Sequence, residues 1–153
     1  MKKTCLLSLA LFLVLALTAC TGPRTAVTAD EFSARMRESG YEINDVTAQY
    51  NGDVDAAVLA FDQNAGYQIE FFVMPSVQQA VDAYRENKSD FEAEAKGTFS
   101  SNTTLEISNY SVYTLAVNNN YYVVSRTDNT MIFVKTTTAN RDAVNKALKS
   151  IGY

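Results

Sequence analysis

Tyr67-Gln68-Ile69-Glu70-Phe71-Phe72-Val73-Met74, closed by Pro75-Ser76, is the stretch from which the fold can be read. Tyr67, Ile69, Phe71 and Val73 fall at alternate positions, and Gln68 and Glu70 begin the other series. A period of two is that of a strand with one face more buried than the other. After Pro75-Ser76 the spacing changes. Val77, Val81, Tyr84, Lys88, Phe91 and Ala95 recur every three or four residues, which predicts a helix over about 76–96. One stripe, interrupted only by Lys88, faces the core. Asp82, Arg85, Glu86, Asp90 and Glu94 form its solvated side, and Gly97 is placed to end it.

Upstream of this junction the signals predict one helix and two further strands. Thr28 has the chemistry of an N-cap, and Glu31 three residues later completes a capping box. Phe32 and Met36 share one face of the short helix, which Gly40 stops. A strand over 41–50 leads into Asn51-Gly52, both of which tolerate positive φ and so signal a hairpin. The next strand, over 54–62, turns at Asn64-Ala65-Gly66 into the stretch quoted above.

Downstream, the pattern predicts a long strand over 103–117 with a bulge or break at Asn109. Asn118-Asn119-Asn120 and Asp128-Asn129 then separate strands over 121–127 and 131–136. A helix over 139–150 carries Val144, Ala147, Leu148 and Ile151 as its stripe. The expected class is therefore α+β in the order α-βββ-α-βββ-α, with antiparallel meanders and helices packed on one face. This order is similar to that of the PsbP-like and TATA-binding-protein-like folds. A weak internal echo sets 58–84 against 123–148.

The first twenty residues speak of location. Lys2 and Lys3 precede an apolar run over 6–17 broken only by Ser8. Twelve helical residues rise about 18 Å, too short for a bilayer that needs roughly 20, so the run reads as a secretory signal. It ends in Leu17-Thr18-Ala19-Cys20, which resembles the lipobox of bacterial lipoproteins. The resemblance implies cleavage after Ala19 and a diacylglycerol on the Cys20 thiol. The alternative is an ordinary signal peptide that ends near a cysteine. The expected organisation is a removed signal over 1–19, a lipidated Cys20 and tether over 20–27, and one domain over 28–153. The expected location is the extracytoplasmic face of a membrane, outer rather than inner where there are two, since Thr21 is not the Asp that resembles a retention signal.

Composition narrows the chemistry. Without Lys2 and Lys3, 11 basic residues face 17 acidic ones, a net charge of −6. That is not the footprint of a nucleic-acid binder, nor would it draw the domain onto anionic lipid. Histidine and tryptophan are absent, and Cys5 leaves with the signal. Triads built on histidine are thereby excluded, and no zinc-type donor set remains. No cofactor, metal site or catalytic residue is expected. Asn51, Asp53, Asp55 and Asp62 mimic the spacing of a calcium loop, but Ala56 stands where that loop needs Gly. The candidate binding residues are Tyr110, Tyr113, Tyr121 and Tyr122, an amphipathic set for peptide or glycan, and Arg126, which would pair with Glu70 or Glu106 or capture a carboxylate. Tyrosine also simply suits a half-buried strand.

Two functions fit. The first is a non-enzymatic module at the cell envelope binding a protein, peptide or wall polymer through an exposed apolar or tyrosine-rich patch on one sheet face. The alternative is a carrier of a small apolar ligand, held between sheet and long helix near Phe71, Tyr84 and Phe91.

Overall fold

The computed structural model describes residues 23–153. The signal over 1–19 and the lipidation at Cys20 lie outside the described residues. Within them, α1 (Ala29–Glu38) opens the fold, followed by β1 (Glu42–Asp45), β2 (Ala56–Asp62) and β3 (Tyr67–Val73). The long helix α2 (Val77–Glu94) comes next. Then follow β4 (Ser100–Ile107), β5 (Tyr110–Val117), β6 (Asn120–Thr127), β7 (Thr130–Thr137) and finally α3 (Arg141–Ser150). All seven strands make one antiparallel sheet in the order β1-β2-β3-β7-β6-β5-β4. The fold is α+β.

The helices begin and end where the local chemistry says. Thr28 Oγ1 accepts from the Glu31 N–H at 3.2 Å, and the Thr28 N–H donates to Glu31 Oε2 at 2.8 Å, a complete capping box. Gly40, at φ 89°, turns the chain out of α1. Ser76 caps α2 by accepting from the Gln79 N–H.

Two of the expected strands differ, and both for physical reasons. The stretch over 103–117 is not one strand. Ser108-Asn109 is a two-residue hairpin with Ser108 at φ 39°, so four strands follow α2, not three. Asn109 tips the hairpin, where its side-chain amide donates to the Arg24 carbonyl at 2.7 Å and to Asp128 Oδ1 at 3.1 Å. The strand expected over 41–50 likewise stops at Asp45, because Asp45 Oδ1 takes the Thr47 N–H at 2.9 Å. A side chain that captures a nearby backbone donor diverts the chain from the ladder. Residues Thr47–Tyr50 form a 3-10 turn instead.

Nor do the helices share one face. Phe32, Met36, Val144 and Leu148 pack with Val58, Ile69, Phe71, Val123 and Ile132 on one side of the sheet. Tyr84 and Phe91 of α2 pack with Phe72, Tyr113, Leu115, Tyr122 and Val124 on the other. With both faces covered, β6 is buried at every residue from Tyr121 to Thr127. The internal echo fails on the same ground. Antiparallel neighbours β3 and β7 are related by rotation about the sheet normal, which would leave α2 and α3 on one face.

The segment ahead of α1 is packed, not free. Val27 is buried. The Arg24 guanidinium lies 3.6 Å over the Tyr110 ring and donates to the Gly152 carbonyl at 3.0 Å.

Candidate functional site

The expected tyrosine face does not exist as an exposed surface. Tyr110, Tyr113, Tyr121 and Tyr122 are all buried, and they divide between the two sides of the sheet. Tyr121 donates to Asn145 Oδ1 of α3 at 2.8 Å. Tyr110 carries Arg24. On the opposite side Tyr122 stacks on Phe91 with centroids 4.9 Å apart, and Tyr113 packs under α2. Helices on both faces turn a candidate binding surface into core.

Among the described residues, one apolar and one polar cavity open beside α2. The first, of about 310 Å³, is bounded by Tyr50, Val54, Phe72, Met74, Met131 and Phe133. Its floor comes from the pairing of β3 with β7, where Phe72 lies opposite Met131. Its rim comes from the link between β1 and β2. Asn51 at φ 52° and Gly52 at φ 92° fold that link over the sheet, so Tyr50 meets Phe72 edge-on at 5.5 Å. The link is held by Thr47, whose Oγ1 accepts from the Ala57 N–H at 2.9 Å. Burial, and then the charge of Glu70, push the Tyr50 phenol above its ordinary value, so it stays neutral. Asp53, Glu70 and Asn87 supply the polar edge of an otherwise apolar cleft.

Residues expected to line such a cavity lie elsewhere. Phe71 points to the far side of the sheet and stacks on Phe32 at 4.6 Å. Phe91 and Tyr84 are packed between helix and sheet. The signal for the real lining was present in Phe71-Phe72 and in Met131-Ile132-Phe133, where apolar residues occupy both strand faces.

The second cavity, of about 280 Å³, is polar and brings Arg126 together with Tyr84, Arg85, Glu106, Ser108 and Ser111. Arg126 does not form the ion pair expected with Glu70 or Glu106. Glu106 instead pairs with Lys88 at 3.3 Å and accepts from the Tyr84 hydroxyl at 3.5 Å. Burial, and then Glu106, push the Tyr84 phenol well above its usual range. Among the described residues no group of three or more His, Cys, Asp or Glu could hold a metal, and no helix is long and apolar enough to cross a membrane.

No family model, curated protein or solved structure matches the chain. The likeness of element order to the two α+β folds named above therefore carries no argument.

Proposed function

We propose that the chain is a lipid-anchored, non-enzymatic binding protein on the extracytoplasmic face of a bacterial membrane, and that its apolar cleft takes a small apolar ligand. The anchor rests on the signal and lipobox ending in Cys20. The binding reading rests on one observation, the 310 Å³ cleft walled by Phe72, Met74, Met131 and Phe133. That volume suits a small apolar molecule, and ligand sites are commonly concave, apolar and edged by a few polar groups.

Native mass spectrometry of the protein taken directly from membranes tests both parts. The expected mass is that of a chain beginning at a diacylated Cys20, with an additional non-covalent apolar adduct. Met74→Asp, at a half-buried cleft residue, should remove the adduct and keep the lipid. A chain without the lipid defeats the anchor, and a lipidated chain that never carries an adduct defeats the cleft.

A second reading is favoured by the sheet edge. All eight residues of β4 are exposed or half-exposed, and Phe99 beside it is 95% exposed. An open edge of that length is a template for a partner strand. Cross-linking from a residue on β4 in intact cells tests it. A single envelope protein captured through β4, and lost on Thr104→Pro, at a position whose N–H faces away from β5, supports docking. Absence of capture removes it.

A further inference from the structure

We infer that the second cavity beside α2 is a binding site for a small organic carboxylate, gripped by the guanidinium of Arg126. This site is separate from the apolar cleft, and it stands whether or not the anchor or that cleft is as proposed.

Arg126 projects from β6 with only 5% of its surface exposed. Its Nη1 donates to the Asp128 carbonyl at 3.1 Å, and its Nη2 reaches Ser111 Oγ only at 3.4 Å. Its Nε has no hydrogen-bond partner. Among the described residues the two ion pairs are Lys88–Glu106 and Lys135–Glu94, so no carboxylate lies within pairing distance of Arg126. A buried cation without a counter-ion is costly, and proteins ordinarily pair such a group. The cavity it lines offers a place for the missing anion.

The geometry selects the kind of anion. Nη1 ties the guanidinium to the hairpin, which leaves Nη2, held only by its long contact to Ser111, as the donor with capacity left for an anion. Nε beside it is enclosed and unpartnered, so a carboxylate that draws the side chain slightly toward the cavity would meet two parallel N–H donors, matching its two oxygens. Arg85 adds a second positive group at the cavity wall, and Ser108 and Ser111 add hydroxyls. Val81 and Ile107 give the wall apolar area for an organic body. Glu106 shares the cavity, with its charge engaged by Lys88 and the Tyr84 hydroxyl. Its presence disfavours a dianion and leaves room for a single negative charge.

The test is an NMR titration of the full chain as the cell delivers it, held in nonionic detergent and labelled with ¹⁵N-arginine. The probes are benzoate, N-acetyl-alanyl-alanine with a free C-terminus, its C-terminal amide, and inorganic phosphate. The Arg126 Nε–H signal should shift saturably with at least one carboxylate and not with the amide. Benzoate alone would mark the site as one for free acids, and the peptide alone as one for chain ends. Arg126→Lys keeps the charge but loses the fork, and should weaken binding roughly tenfold. Glu106→Gln leaves Arg126 and its contacts in place and should tighten binding several-fold. The proposal is overturned if neither carboxylate saturates by about 10 mM, if the amide or phosphate binds better, or if Glu106→Gln weakens binding.

Discussion

Tyr113 and Tyr121 are near neighbours in sequence with opposite needs. The Tyr121 hydroxyl donates to Asn145, whereas the Tyr113 hydroxyl is buried with no partner. Removing one half of a satisfied buried bond costs about 1 kcal/mol, while removing an orphaned hydroxyl costs nothing or stabilises. Tyr121→Phe is therefore expected to lower the denaturant midpoint, and Tyr113→Phe to leave it unchanged or raise it. Equal losses in both would contradict the assignment. Phe91 lies against Tyr122 and Phe133 at 4.9 and 5.4 Å and is fully buried. Phe91→Ala should cost about 3–5 kcal/mol by equilibrium unfolding. At this scale the sequence was a poor guide to exposure. Each tyrosine was legible as a strand residue, but whether its face met water depended on helices distant in the chain. Arg126 was legible as unusual, and its lack of a carboxylate partner was not.

Among the elements, the meander is the clearest lesson. Strands β4 to β7 are each eight residues long and joined by two-residue loops, with Asn at 109, 119 and 129. That ten-residue beat is visible in the chain, yet Asn109 alone resembled a break inside a longer strand. The four-residue apolar run at 121–124 likewise carried the signature of a strand buried on both faces, against the half-buried pattern of β3. Capping was fully legible because it is local. Thr28→Ala should cost about 1 kcal/mol of stability. The Glu31 carboxyl is held below its ordinary value by the Thr28 N–H and then the Thr28 hydroxyl. A depressed folded value means that its contribution is present above the ordinary value of 4.5 and lost as pH falls through the folded one. Thermal melts should show Glu31→Gln weakening the protein near neutrality, with the difference from wild type shrinking in acid. A pH-independent difference would remove the carboxylate from the cap.

For the whole molecule, the fixing of Arg24 sets where the sheet ends lie. On the proposed anchoring only 21–23 separate Cys20 from Arg24, a reach of about 14 Å. Arg24 binds the hairpin at Ser108-Asn109, and Asn109 reaches Asp128, so these tips should face the membrane while Asn118-Asn119 points away. Nitroxide lipids should quench fluorophores at 109 and 129 more than one at 119, and the reverse ranking would contradict this orientation. The buried phenols bound stability in alkali. Burial first, and then the Tyr41 hydroxyl, raise Tyr67, and burial lifts Tyr153 to about 12. These groups favour the folded state fully below the unfolded value near 10, and that advantage is lost as pH rises through the folded values. The central claim is that the cleft binds an apolar ligand, and methionine reports on it directly. Met74 and Met131 line the cleft, and Met36 lies in the core across the sheet. With ¹³C-methyl methionine, titration by N-phenyl-1-naphthylamine should shift the Met74 and Met131 methyl signals saturably and leave Met36 in place. Shifts in none of the three, or in all three alike, would contradict the account.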